Sequence, residues 1–456
     1  MHNVDLDIVE MSLDVIKFAI NRITETDPKL GFPRKAEELK ELVGETVTPK
    51  GIGGEKAFQL FRDVLLKSSV SIDHPRHLAF VPASPTRAAI MFDLVTSASS
   101  IHGAYWLEGA GGIFAENQAM EWLVSLTGMP EGSFGVFTSG GTSANLSAMV
   151  AAREDWRRRA EIHTQTRGVV ITSDEAHSSV KAMAKVIDAD VILVPTNGRF
   201  GYADLERELG TLSLETKGRI FAVIATAGTT NAGIVDDLAG IADICERENI
   251  WFHVDAAYGG GALAAPSVRE RFNGIERADS VTIDPHKWLF SPYDCGAILY
   301  RRPELAKRAH SQTGDYLDIF KGETQGFNPS DYQIQLTRRL RGLPLWFSLA
   351  THGTDRYTQA VERGIELAKI AGELISAAPH VELVQEPSLS CVLYRRIGWS
   401  TEDYSRWTYE NHKAGFALVA PTKWRSGGEA ETIARFCFIN PDTTEKDIAA
   451  ILATMS

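Results

Sequence analysis

Apolar side chains recur at helical spacing near the start of the chain: Val4, Ile8, Val9, Leu13, Ile16, Ile20 and Ile23. That period predicts an amphipathic helix over 4–25. Asp27-Pro28 and Gly31-Phe32-Pro33 break it, and a second helix is predicted over 55–68. Residues 1–75 therefore read as a helical arm with too few apolar positions for a core of its own. Such an arm must pack on the rest of the chain or on a second subunit. A helix is predicted over 87–100. From residue 135 the pattern changes. Short apolar, β-branched runs at 135–138, 168–173, 190–194, 219–226, 250–254, 279–283 and 295–300 alternate with helical stretches at 146–161, from 175, at 205–209 and at 237–248. Strands alternating with helices predict an α/β domain whose mostly parallel, seven-stranded sheet is covered on both faces. In such sheets ligands gather beyond the C-terminal strand ends.

Residues 311–333 are polar and Gly-rich, which predicts a functional loop or lid. Helices are predicted at 335–351 and 356–376. Short strands at 381–384, 390–395 and 433–439 and a helix at 444–455 follow. The reading is three units: an arm over 1–75, a large α/β domain over 76–345 and a small α/β domain over 346–456.

The chain has 456 residues, 44% of them hydrophobic and 23% charged, which is ample for a globular core. Its formal net charge of -12, without a long run of Lys or Arg, argues against a nucleic-acid partner. No apolar run reaches membrane-spanning length, and the N-terminus lacks a signal-peptide pattern. Cys245, Cys295, Cys391 and Cys437 are scattered without metal-ligand spacing. They read as buried thiols in a reducing cytoplasm, and no metal site is expected.

Chemistry concentrates at the predicted strand ends. Asp284-Pro285-His286-Lys287-Trp288 follows the buried run at 279–283. Burial disfavours an ammonium, so Lys287 is expected to have a lowered pKa and an available amine that can form a Schiff base with an aldehyde. Taken alone, the pentapeptide fits a surface lysine equally well. Ser139-Gly140-Gly141-Thr142-Ser143-Ala144-Asn145 joins a strand to a helix. Backbone N–H groups and the helix dipole there suit an anion, with hydroxyls from Thr142 and Ser143. It is neither a Walker loop nor a dinucleotide fingerprint, and a plain Gly-rich helix cap is the ordinary alternative. His177, Thr230 and Asp255 fall at other strand ends. If anion and aldehyde belong to one molecule, pyridoxal phosphate (PLP) accounts for every piece. Lys287 holds it, Gly140, Gly141 and Thr142 take the phosphate with His286 nearby, Asp255 pairs with the pyridine nitrogen, His177 stacks on the ring and Ala257 packs on its other face.

The stretches 139–145, Ala-His-Ser-Ser-Val-Lys-Ala (176–182), Thr-Ala-Gly-Thr-Thr (226–230), His-Val-Asp-Ala-Ala-Tyr-Gly-Gly (253–260) and Asp-Pro-His-Lys-Trp-Leu (284–289) resemble the group II PLP-dependent amino acid decarboxylases. The likeness runs in order from about His74 to Trp346. It implies fold type I, a homodimer whose N-terminal segment wraps the partner subunit, Thr230 near the cofactor, and a substrate pocket with Phe80, Val81, Tyr105 and Trp106. It also implies loss of CO2 from an amino acid held on PLP, with a loop tyrosine protonating the α-carbon. The loop here is shorter than the family's. Tyr332 is the first candidate for that proton and Tyr316 a further one, while Phe327 in the tyrosine's place implies an aldehyde-forming outcome.

An aromatic or bulky substrate is favoured by the pocket aromatics, and an acidic one stays open through Arg76 and His77. The alternatives are oxidative deamination, C–C cleavage, transamination with Arg435 on the carboxylate, or a non-catalytic binding module. Arg338, Arg339 and Arg341 read as solvated or ion-paired on a helix.

Overall fold

The computed structural model describes residues 6–26, 28–161, 166–312, 326–425 and 430–456. Its centre is the seven-stranded sheet that the apolar runs predict. The strands are β1 (Phe134–Thr138), β2 (Val169–Ser173), β3 (Asp190–Val194), β4 (Ile220–Thr226), β5 (Trp251–Asp255), β6 (Ser280–Ile283) and β7 (Gly296–Tyr300), in spatial order β1-β7-β6-β5-β4-β2-β3. β7 runs antiparallel to both its neighbours, and every other pairing is parallel. β4 is buried at all seven positions, as expected where helices cover both faces.

A second, antiparallel sheet is formed by β8 (Val381–Leu383), β9 (Cys391–Arg396), β10 (Pro421–Trp424) and β11 (Glu431–Cys437), in order β10-β11-β9-β8. Two buried contacts tie it to the large sheet's C-terminal edge. The Tyr258 hydroxyl lies 2.5 Å from Ser390 Oγ. The Arg435 guanidinium donates to the carbonyls of Asn231 (3.0 Å) and Phe80 (2.5 Å). Trp288, fully buried, stacks on Tyr258 at 5.4 Å and packs against Gly261 and Gly364, where a Cβ would lie 2.7 and 3.0 Å from it. Lys287 therefore follows a backbone with little freedom. All four cysteines are free and buried. No helix among the described residues is long and apolar enough to cross a membrane.

Several elements differ from the periodicity reading. The 22-residue helix Trp106–Thr127 went unnoticed because Gly109, Gly111 and Gly112 dilute its apolar spacing. The helices Ala36–Val43 and Thr401–Lys413 and strand β10 were also missed. The helix after the Gly-rich turn starts at Gly141, not 146, and the one near His177 starts at Ser179, not 175. The helix predicted over 335–351 begins only at Leu343, with Pro344 in its first turn. Proline suits that turn and disfavours helix before it.

Arg338 therefore lies outside the helix, and it is not solvated. Its guanidinium is fully buried, donating to the Gly103 carbonyl (2.7 Å) and to both oxygens of Glu116 (3.0 and 2.8 Å). Glu116 also accepts from the Gly342 N–H at 2.7 Å. Burial raises the Glu116 carboxyl above its ordinary range, and Arg338 opposes that shift. Removing one partner of such a pair strands the other charge. Glu116→Ala is expected to lower unfolding stability by about 3–5 kcal/mol, read from the urea midpoint. A shift worth well under 1 kcal/mol contradicts the pairing.

Candidate active site

Five loops leave the C-terminal ends of β1, β2, β4, β5 and β6 and meet around one cavity of about 480 Å³. Lys287, Asp255, His177 and Thr230 all line it, as do Gly140, Gly141, Thr142, Ala257 and His286. The volume suits a small cofactor with part of a substrate.

The cup opens where β1 turns into the helix Gly141–Arg159. Gly140 has φ 137°, which L side chains rarely adopt. Gly296 on β7 allows that turn, since a Cβ there would fall 2.4 Å from Gly140 Cα. Gly141, Thr142 and Ser143 are the first helical residues, and the earliest N–H groups of a helix have no partner within it. Ser143 Oγ lines the cavity, buried and without a hydrogen-bond partner among the described residues. An orphaned hydroxyl beside unpaired N–H groups at a helix N-terminus fits a phosphate. A lysine amine shares the same cavity, so the residues present fit PLP.

Lys287 Nζ lies 3.1 Å from Asp284 Oδ2, and its side chain is about a quarter exposed (26%). Burial alone lowers a lysine, as the sequence suggested. Asp284 and Asp255 together outweigh it, so Lys287 sits above the ordinary lysine range. This corrects the expectation of a lowered pKa. Asp284 is nearly buried, and Oδ1 has no hydrogen-bond partner among the described residues. His286 Nδ1 accepts from the Cys295 N–H at 3.1 Å, and Nε2 is 3.7 Å from Asp284 Oδ2. Burial holds His286 below the ordinary imidazole value against the pull of Asp284.

Asp255 ends β5 with both oxygens engaged. Oδ1 accepts from the Ala257 N–H at 3.1 Å, and Oδ2 from Asn145 Nδ2 at 2.8 Å. His177 Nδ1 accepts from the Ser179 N–H at 3.2 Å and lies 2.9 Å from Ser179 Oγ. In the neutral ring the proton is then on Nε2.

Phe80 and Val81 line the cavity. Tyr105 and Trp106 do not. Tyr105 packs against Leu336, and the Trp106 indole lies over Gly326, where a Cβ would fall 2.1 Å from the ring. Within one chain these aromatics fill core. Tyr332 is also outside the cavity, stacked on Phe327 at 4.5 Å with the rings 15° apart. Phe327 in turn meets the Phe134 ring edge-on at 4.9 Å. Tyr316 and most of the loop predicted over 311–333 lie outside the described residues. Arg435, 4% exposed, bonds carbonyls and Cys391 Sγ and has no access to a substrate carboxylate. Sequence reasoning gave no role to Asn145, Asp284, Tyr258 or Tyr293, whose ring lies 4.8 Å from that of His286. A polar residue inside a buried helix face was the available signal for Asn145.

Residues 37–397 match the model of the pyridoxal-dependent decarboxylase conserved domain. An aromatic-L-amino-acid decarboxylase of Bacillus atrophaeus is 30% identical over 429 residues, covering 91% of this chain and 87% of the relative. An L-2,4-diaminobutyrate decarboxylase of Rhizobium meliloti is 33% identical over 343 residues, 73% and 67% of the two chains. The solved structure of Oryza sativa TDC with PLP and tryptamine superposes with a TM-score of 0.90 at 24% identity, covering 100% of this chain and 99% of that one. That last likeness speaks to fold, which is fold type I, and the sequence matches speak to descent. The chain belongs to the pyridoxal-dependent amino acid decarboxylase family, whose cofactor is PLP.

Proposed function

We propose that this chain removes CO2 from an L-amino acid with an aromatic or other bulky apolar side chain, giving the amine. The observation that carries this reading is Phe80. It has φ 56°, it is 66% exposed, and it stands at the cavity with Val81. Positive φ is uncommon for an aromatic residue, and the Arg435 bond to its carbonyl holds it there. Among the described residues the lining contains no arginine. Arg76 is taken up by Asp447 at 2.7 Å, and burial first, with His412 and His74 adding to it, pushes His77 down to about 4, so it is neutral. Neither offers a cation to an acidic substrate. The likeness to the Bacillus enzyme agrees with an aromatic substrate, whereas the Rhizobium relative acts on a diamino acid.

Each residue has a defined task in this reading. Bound PLP supplies the electron sink for the pair left when the carboxylate departs. Lys287 is the attachment point. The N–H groups at 141–143, with the hydroxyls of Thr142 and Ser143, hold phosphate, and Gly140 and His286 shape the cup. Asp255 holds a proton at the ring nitrogen. His177 and Ala257, both lining the cavity, would confine the cofactor ring, and the His177 Nε2–H would be available to a carboxylate. Thr230 closes the rim. The placement of Tyr332 favours a second outcome, decarboxylation with oxidative deamination to an aldehyde. Its hydroxyl would have to leave the Phe327 stack to deliver a proton, and the Tyr258 hydroxyl is already held by Ser390.

We further infer a cytoplasmic homodimer. Leu13, Ile16 and Ile20 on the first helix are exposed, as are Leu94, Val95, Leu107 and Phe114. A second copy covering these faces would put Tyr105 and Trp106 near the subunit boundary. The arm over 1–75 would lie across that partner, with the large domain over 76–345 and the small one over 346–456.

Two tests follow. Asp284 raises Lys287, so Asp284→Asn should lower it and leave more neutral amine at a given pH. The pH profile of PLP attachment to apoprotein, followed by borohydride fixation and mass spectrometry, is expected to move to lower pH. An unmoved profile, or one moved upward, removes Asp284 from that role. A screen of the twenty amino acids should show CO2 release chiefly with aromatic ones, with amine as product. Peroxide and ammonia in step with CO2 select the oxidative outcome, and glutamate or diaminobutyrate as best substrate overturns the aromatic reading.

A further inference from the structure

From Asp255 four buried side chains continue its hydrogen bonding into the sheet, and only the first of them, Asn145, also lines the cavity. Asn145 Nδ2 reaches Asp255 Oδ2 at 2.8 Å. Asn145 Oδ1 lies 3.0 Å from His253 Nε2. His253 Nδ1 is 2.7 Å from Ser280 Oγ, and Ser280 Oγ accepts from the Trp251 indole N–H at 2.8 Å. Exposure is 1% for Asn145, 2% for Trp251 and zero for His253 and Ser280. No water-facing group interrupts the series.

The direction of every bond follows from the two ends. An indole nitrogen can only donate, so Ser280 Oγ must accept there. A carboxylate can only accept, so Asn145 must turn its amide nitrogen toward Asp255. Its oxygen then faces His253 and needs a donor, which places the ring proton on Nε2. His253 Nδ1 is left bare and takes the Ser280 hydroxyl proton. Burial holds this imidazole below its ordinary value, so one proton on the ring is the expected state. The reverse arrangement would set the Asn145 oxygen 2.8 Å from a carboxylate oxygen. All donors therefore point the same way, and the series ends on Asp255.

Resting on the reading of Asp255 as the partner of the pyridine nitrogen, we propose that Asn145 and His253 are positioning residues for that contact. Ser280 and Trp251 fix the tautomer that lets them act. The chain of directed bonds fixes the orientation of the Asp255 carboxyl at the cavity wall. Because its far end is an indole that only donates, it offers no path by which the ring-nitrogen proton can drain into the protein. His253 does this without touching cofactor or substrate.

A double-mutant cycle on PLP affinity separates this from simple packing. His253→Phe is expected to raise the PLP dissociation constant about ten-fold, the lower end of what loss of an outer-shell partner costs. Combined with Asp255→Ala, it should change affinity by less than about two-fold, since the group it acts through is gone. Equal factors in both backgrounds overturn the relay and leave His253 a core residue. Ser280→Ala removes only a hydroxyl and keeps the test available should His253→Phe fail to fold. It should show the same non-additivity at smaller amplitude, and additivity there also overturns the proposal. Asp255→Ala alone supplies the separate check. If it binds PLP as tightly as the unaltered chain, Asp255 does not face the ring, and both that reading and the relay's purpose fall together.

Discussion

Two carboxylates and one ammonium share a cavity cut into the open edge of a parallel sheet, and the rest of the architecture serves that arrangement. Asp255 and Asp284 end adjacent parallel strands or lie just past them, and Lys287 follows three residues after Asp284. The helix N-terminus at Gly141 and the lysine line the same cavity, where an anion would be expected to bind. None of these charges is held by bulk water. Each is held by a backbone whose position the sheet fixes, which is why the site tolerates three ionisable groups with so little solvent.

Rigidity there has visible causes. Trp288 stacked on Tyr258 anchors the residue after the lysine, and Gly296 lets the cup turn sit close against β7. Arg435 joins the loop carrying Phe80 to the one carrying Asn231 and Thr230, so the small sheet acts on the cavity through this guanidinium and through the Ser390 contact to Tyr258. Its burial among carbonyls explains why it cannot also bind a substrate's carboxylate. The same residue cannot brace the wall and read the ligand.

The strand ends were legible in the sequence because parallel strands carry a strong signature: apolar, β-branched and punctuated by glycine or aspartate. Once they were placed, Lys287, Asp255, His177 and the Gly-rich turn had to converge. What was not legible depended on partners distant in sequence. Burial was foreseen for Lys287, but its pairing with Asp284 reverses the expected shift. For Arg338 the sequence leaves solvation and ion pairing open, because Glu116, its partner, lies 222 residues away. Asn145 lies in a recognised motif, yet its hydrogen bonding continues to His253 and Ser280, which no spacing rule connects to it. Glycines concealed the helix Trp106–Thr127, where packing against Leu340 rather than periodicity sets the structure.

The chemistry thus divides between two parts of the molecule with different physical character. On the proposed reading, cofactor attachment and ring polarity would rest on strand ends that are buried, paired and fixed by the sheet. The fate of the α-carbon once CO2 has left rests on a proton donor, and no phenol with an uncommitted hydroxyl lines the cavity among the described residues. A phenol donor would have to come from side chains lying off the sheet, such as Tyr332 in its stack with Phe327. A strand end cannot be altered without disturbing the charges around Lys287, whereas an off-sheet residue can be exchanged with little cost to the fold. Amine and aldehyde outcomes can therefore arise on one scaffold with the same cup, lysine and aspartate. In this chain Tyr332 stands apart from the cavity, so on the proposed reading the off-sheet segment, not the cofactor site, would decide the product.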